Sequence, residues 1–486
     1  MPKEVALLAL LLIGCASAPA YQEPALEIPT AFRETVDSLT AAPAPAPPAA
    51  VPVVAGDSVG LRGQYWRVLG DSTLDRLLGQ ALGGNLDVEA AQARIRGARA
   101  ARLNATLDLA PTVTVGGSYT RQRLSSAGFP IGVGSFPDQD VWDAGFDATW
   151  ELDLFGRVRR GVQAQGALVG AAQEELRDVR VSLSAELARV YFELRGAQGR
   201  LAVAQRNGEN QRRTLELTRQ RLDAGRGTAF DTERAQAQLN FTLASIPAFE
   251  AQVAAAQYRI GVLIGRPPTA VAQELQAVAP MPPLPASVTV ASPDSLIRRR
   301  PDVAAAERRV AAERAFVGAA KAEYLPRLSL DGSAGLAATT FDSLGDRGTF
   351  RYAVGPVISW PALNLGRVKA RVDASRALEA EARAQYHQTV LRALEEVETT
   401  LVRYRTSRGR VERIQDAAAA SGRAAELARL RFTEGVADFL QVLDAERTQL
   451  EAEDQLALSR TEAATAYAAL YKALGGDWSA AGEEDR

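Results

Sequence analysis

A single cysteine, Cys15, and a single histidine, His387, bound the side-chain chemistry open to this 486-residue chain. One cysteine excludes an internal disulfide, and one residue of each type excludes zinc sites of the Cys/His kind. Catalysis by a Cys–His or Ser–His pair would have to run through His387 alone, which follows Tyr386 in a long helical stretch and reads as a surface residue. The sequence holds no phosphate loop, no paired catalytic carboxylates at motif spacing and no metal-ligating cluster, so it points to no enzyme and no cofactor. Any energy source must come from a partner. The composition is 47% hydrophobic, 23% charged and 6% aromatic, with a formal net charge of −2. That is too apolar for a disordered chain and too neutral to favour nucleic acid or an acidic substrate.

Cys15 has a context of its own. Lys3 precedes an apolar run, Val5 to Ile13, then Gly14 and Cys15. Nine apolar residues fall short of the roughly 20 needed to span a membrane as a helix. They suit the apolar core of a secretory signal. Leu12-Ile13-Gly14-Cys15 resembles a bacterial lipobox, whose cysteine becomes the acylated first residue of the mature protein. The other reading is a buried Cys within an ordinary signal peptide. Acylation would anchor the chain without a transmembrane helix. Residues 41–56, rich in Ala, Pro and Val, read as an extended tether.

The elements that must position everything else are written twice. Asp87, Ala91, Pro111 and Gly117 recur as Asp302, Ala306, Pro326 and Gly332, 215 residues later. Trp150, Gly156, Arg157, Val158, Arg221, Gly225, Ala235 and Gly265 recur 210 residues later as Trp360, Gly366, Arg367, Val368, Arg431, Gly435, Ala445 and Gly475. A repeat this long implies two similar subdomains rather than a solenoid. The change of offset falls between residues 119–141 and their counterparts, so a loop belongs there.

Each copy opens with a helix, at Asn85 or at Pro301-Asp302, that ends before Pro111 or Pro326. Two alternating segments follow, 112–121 with 142–152 and 327–336 with 350–360. Trp142, Phe146 and Trp150 line one face of the second segment, and Asp143, Asp147 and Glu151 line the other. Next comes a long proline-free helix, Arg157 to Ala224 or Arg367 to about Glu434. Leu176, Val179, Leu183, Leu187, Val190, Leu194, Ala197 and Leu201 form a coiled-coil seam in the first. Such a helix would be about 100 Å long, and Gly196, Gly199 and Gly208 are the points where it could break. A glycine turn at Gly225-Arg226-Gly227 or Gly435 reverses the chain into a helix returning to Gly265 or Gly475.

Strands of about 10 residues with one apolar face and aromatics near their ends match a transmembrane β-barrel. They equally match a half-buried sheet in a soluble domain. Four strands cannot close a barrel, and open edges are not tolerated in lipid. A membrane reading therefore requires oligomerisation: two chains give a side-chain-filled eight-stranded barrel, and three give twelve strands, wide enough for a channel.

The chain resembles the outer-membrane factor family of TolC- and OprM-like trimeric channels, in particular its lipoprotein branch serving multidrug efflux pumps of the RND type. The resemblance covers about Trp66 to Trp478. It rests most on Ser292-Pro293-Asp294-Ser295-Leu296-Ile297 running into Arg299-Arg300-Pro301-Asp302-Val303, on Trp150-Glu151-Leu152-Asp153-Leu154-Phe155-Gly156, and on Arg431-Phe432, Gly435 and Val442-Leu443-Asp444-Ala445. It implies a membrane β-barrel plus an α-helical barrel, with four strands per protomer in a 12-stranded trimer continued by periplasmic coiled-coil helices. The corresponding division is a signal peptide (1–14), a tether (15–64), a first repeat (65–270), a linker (271–291), a second repeat (292–478) and a tail (479–486).

The resemblance also assigns sites. The turns at Arg221, Leu222 and Gly225 and at Arg431, Phe432 and Gly435 would form a periplasmic tip that meets the pump's adaptor protein; otherwise they are ordinary helix C-caps. Leu440 and Asp444 match positions that narrow the pore, and three-fold symmetry would set three Asp444 carboxylates in a cation-favouring ring. The alternatives for Asp444 are a solvated face or a partner such as Arg447. The first copy carries Phe230 and Arg234 there instead; Asp231 and Asp438 are further ring candidates. The implied function is a passive exit duct for drugs and other small toxic molecules in the outer membrane of a Gram-negative bacterium. Its implied partners are a homotrimer, a periplasmic adaptor, an inner-membrane RND transporter and outer-membrane lipid, with no nucleic acid. Polypeptide secretion, metal-ion efflux and a pore-free periplasmic coiled-coil scaffold are the alternatives.

Overall fold

The computed structural model describes residues 28–33, 53–55, 65–123, 137–285, 288–290 and 292–476. Cys15, the signal segment and the tail lie outside them. In chain order the elements are β1 (Val53–Ala55), α1 (Ser72–Gly84), α2 (Leu86–Leu107), β2 (Thr112–Gln122), β3 (Gln139–Glu151), α3 (Arg157–Asp223), α4 (Ala229–Leu263), β4 (Val288–Val290), α5 (Pro293–Arg299), α6 (Pro301–Ala322), β5 (Arg327–Ala338), β6 (Phe350–Ser359), α7 (Leu365–Thr433) and α8 (Phe439–Ala473), with short 3₁₀ turns between some of them. Two compact units result. One contains Arg94–Gln173 and Ala305–Tyr386, the other Leu26–Ala93, Glu174–Ala304 and His387–Arg486.

The first unit carries the sheet, antiparallel throughout in the order β2-β3-β5-β6. Alternation puts the apolar side chains on one face, and that face is open. Val115, Phe146, Tyr352 and Ile358 are all more than half exposed. On the other face Arg351 of β6 reaches across β5 to the carboxylate of Asp143, with Nε donating at 2.5 Å. Among the described residues β2 pairs only with β3, and β6 only with β5, so both sheet edges are free. The repeated tryptophans close the corners of this unit. The indole of Trp150 donates to the carbonyl of Leu109 at 2.8 Å, and that of Trp360 donates to Tyr324 at 3.0 Å. Each satisfies a carbonyl between a helix and its strand, where the helix ladder has run out. The strands extend further into the predicted loop than the change of offset suggested, to Gln122, from Gln139 and to Ala338. The loop residues 124–136 lie outside the described residues.

The second unit holds the main core. Leu183, Leu187, Val190, Leu194 and Ala197 of the predicted seam are buried, while Leu176 and Val179 pack at the margin of the core. Helix α3 is unbroken through Gly196, Gly199 and Gly208. Tyr65 stacks on Tyr467 at 4.6 Å, and each hydroxyl donates to the other's backbone carbonyl. Burial pushes the Tyr65 hydroxyl well above its usual range. Two elements had no counterpart in the sequence reading: α1, capped by Asp71 and tied to α3 through the Tyr191 hydroxyl, and the parallel pair β1·β4. The pair places Val53–Ala55, near the end of the stretch read as a tether, in a sheet with Val288–Val290, while residues 41–52 and 56 lie outside the described residues. Val288 and Val290 are buried, and β-branched residues favour strand.

Both copies close in the same way. The Asn85 amide donates to the carbonyl of Leu263 at 2.9 Å, and Arg300, at the equivalent position, donates to Ala473 at 2.7 Å. The chain then turns at Gly265 and Gly475, both left-handed (φ 74° and 83°). A Cβ on Gly265 would lie 1.9 Å from the carbonyl oxygen of Gly84. In the second copy the buried Arg300 also pairs with Asp302 and Glu396, each at 2.8 Å. Asp178 lines the same polar cavity. Burial raises its carboxyl above the usual range; Asp302 and Glu396 push it further up, and Lys472 and Arg300 oppose the rise.

Removing Arg300 would strand two carboxylates, so Arg300→Met is expected to cost about 3 kcal/mol or more in urea unfolding of the second unit. Asp178 tests the sign of the field. Its folded-state pKa lies above its unfolded one, so it costs stability as pH rises from the usual carboxylate range through the raised value. Asp178→Asn should therefore stabilise the protein relative to wild type at neutral pH. That gain should shrink on acidification in a thermal-melt series.

Candidate functional site at the paired hairpin turns

The α3–α4 and α7–α8 turns are built alike from their last helical residues. Gly225 N donates to Leu222 O at 2.9 Å and Arg226 N to Arg221 O at 2.8 Å; Gly435 N donates to Phe432 O at 3.0 Å and Val436 N to Arg431 O at 2.8 Å. Both glycines are left-handed, with φ of 69° and 74°. This is the Schellman ending that the glycine positions predicted. The helices that leave the turns are capped differently. Thr228 accepts from Asp231 N and donates to the Asp231 carboxylate at 2.7 Å. Asp438 accepts from Gln441 N at 3.0 Å. The two further acidic ring candidates are thus both engaged in capping.

Arg221 holds the two turns together. Its Nη1 donates to the carbonyl of Phe432 at 3.0 Å, and its guanidinium lies 4.2 Å from the centre of the Phe432 ring. Phe432 is buried with Leu215, Ala235, Leu239, Phe439 and Val442 in a small core of its own. Leu222 is half-buried, and Gly225, Arg431 and Gly435 are exposed. Leu440 and Asp444 share one face of α8 a turn apart and both open to solvent, Leu440 at 51% and the Asp444 side chain at 72%. The nearest cation to Asp444 is Arg447, at 3.9 Å and itself exposed. In the first copy the Arg234 guanidinium stacks on Phe230, 5.3 Å from the ring centre. The structure therefore joins Arg221 to Phe432, leaves Leu440 exposed, and pairs Asp444 with Arg447, the partner the sequence offered as its alternative role.

One residue escaped the sequence reading. Glu446 is 2% exposed, and its Oε1 accepts from Thr214 of α3 and from Arg429 Nε of α7, both at 2.8 Å. Three helices meet at this carboxylate. Its partners lie 232 and 17 residues away, on two other helices, and no local motif marks it.

Both turns fall within stretches that match a known family. The model of the outer membrane efflux protein family fits residues 77–266 and 292–476. The chain belongs to the outer membrane efflux protein family. Outer membrane protein OprJ of Pseudomonas aeruginosa is 31% identical over 478 residues, covering 97% of this chain and 95% of that one. Nodulation protein T of Rhizobium leguminosarum bv. trifolii is 27% identical over 478 residues, covering 97% and 96%. The solved outer-membrane channel OprN has a TM-score of 0.85 at 37% identity, over 95% of this chain and 99% of that one. The family is one of transport channels rather than enzymes. Its members are proteins of the Gram-negative outer membrane with a large periplasmic portion.

Within this family member, the buried Glu446 is expected to set the stability of the hairpin ends of α3, α7 and α8. Arg429→Ala leaves the carboxylate buried with only Thr214, at a cost of about 3 kcal/mol. Hydrogen exchange should accelerate in 429–446 and in the facing part of α3. Unchanged exchange there would show that the pair contributes nothing.

Proposed function

We propose that three copies of this chain form an outer-membrane exit duct of a tripartite efflux pump, gated at the hairpin turns. The observation that carries the reading is the sheet. It has four antiparallel strands, an open apolar face, a polar face with an internal ion pair, and two edges unpaired among the described residues. No helix among the described residues is long and apolar enough to cross a membrane. In lipid every backbone group must be paired within the protein, so the edges of one sheet must meet those of other copies. Twelve strands leave room for an aqueous channel, whereas eight do not.

The cargo in this reading is drugs and other small toxic molecules, and an inner-membrane RND transporter supplies the energy. A periplasmic adaptor docks on the exposed turn residues Arg431, Gly225 and Gly435, and acylated Cys15 adds an anchor in outer-membrane lipid. At the gate, three Leu440 side chains form an apolar constriction and three Asp444 carboxylates a cation-favouring ring one turn away. The exposure of both residues in a single chain supports this: Leu440 is half exposed, and Asp444 has only a solvent-exposed pair with Arg447 at 3.9 Å.

Planar-bilayer conductance tests the proposal. Wild-type protein should give a small, cation-preferring conductance. Leu440→Ala with Asp444→Ala should raise it by about twofold or more and weaken the cation preference. Inserted protein that never conducts would overturn the duct. Equal conductances would overturn the assignment of the gate.

A further inference from the structure

A cavity of about 610 Å³ opens in the second unit, where the segment 278–284 passes over α3, α7 and α8. Its size falls in the range that takes a small organic ligand, and Met281, Leu284, Val411 and Ala457 give it apolar walls. One of its lining residues, Arg195, has a buried donor without a partner, and a second, Gly199, leaves one wall bare.

The first is Arg195. It is 6% exposed; Nη1 donates to Gln198 Oε1 at 2.8 Å and to the Ala277 carbonyl at 2.9 Å, and the guanidinium lies 4.9 Å from the ring centre of Tyr191, whose hydroxyl donates to the Asp71 carboxylate. Its Nε is buried without a hydrogen-bond partner. A guanidinium taken out of water ordinarily sits beside a counter-charge. The other charged groups lining the cavity are Arg408, Arg460 and Glu412, so cations outnumber the carboxylate. Arg408 donates to the Pro285 carbonyl and Arg460 to the Gln415 amide, again neutral acceptors.

The second is Gly199, one turn beyond Arg195 on α3. A glycine inside a helix costs about 1 kcal/mol relative to alanine. At Gly196 close packing accounts for that cost, since a Cβ would lie 2.0 Å from Thr461 Oγ1. At Gly199 a Cβ would meet nothing within 4 Å. The missing side chain leaves that side of the cavity open.

We propose that this cavity binds a small amphipathic anion, a carboxylate on an apolar body. Arg195 supplies the counter-charge, and the bare surface at Gly199 with the 278–284 segment covers the apolar part. The proposal does not rest on the exit-duct reading.

Isothermal titration of octanoate into full-length protein in lipid nanodiscs, with empty discs subtracted, tests it. Saturable binding at one site per chain is expected, with none for octyltrimethylammonium. Arg195→Met should weaken octanoate binding about tenfold or more, the scale of a lost charge-assisted contact. Gly199→Leu should abolish it by filling the cavity, with the oligomer and its melting temperature intact. If Arg195→Met does not fold, Gly199→Leu decides alone. Absence of saturable octanoate binding to wild type, equal binding of the octyl cation, or unchanged binding in Gly199→Leu would each overturn the proposal.

Discussion

Four strands pair through three ladders, and among the described residues the outer edges of β2 and β6 are left with backbone donors and acceptors that no other strand pairs. This unfinished hydrogen bonding governs what the molecule can become. An apolar face beside open edges is a liability in water and intolerable in lipid. The polar face is handled internally, with Asp143 and Arg351 neutralising each other across the intervening strand. Among the described residues, nothing pairs with the two outer edges.

Duplication solves the other backbone problems twice with the same geometry. A tryptophan indole satisfies the carbonyl at each corner between helix and strand, Leu109 and Tyr324. A side chain at the start of each copy satisfies the carbonyl at its end, Leu263 and Ala473. The second copy has replaced the amide of Asn85 by the guanidinium of Arg300. A buried guanidinium demands counter-charges, and Asp302 and Glu396 supply them. The result is a polar cavity in which Asp178 is held back from ionising.

The two hairpins have also diverged at their turns. The backbone of the turn is common to both, down to the left-handed glycine. The side chains beyond it are not. Arg234 stacks on Phe230 in the first copy, whereas in the second Leu440 is exposed and Asp444 pairs with the exposed Arg447. Arg221 and Phe432 join one hairpin to the other, so the equivalent arginine and its neighbour in the opposite copy serve different ends: Arg221 is a strut, and Arg431 is exposed.

Features governed by local periodicity, or by residues with special backbone demands, were legible before any fold was known. Strand alternation, the seam from Leu183 to Ala197, the proline stops and the Gly225 and Gly435 endings all stand in the structure where the pattern put them, because each depends on neighbours within a few residues. The continuity of α3 through three glycines was settled by tertiary packing, which can outweigh the modest helix cost of each glycine. So were the β1·β4 pair, the Glu446 junction and the Arg221–Phe432 link, whose partners lie far apart in the chain. Side chains brought together from hundreds of residues away leave no spacing to read, and only the folded core selects which of the many arginines meets which carboxylate.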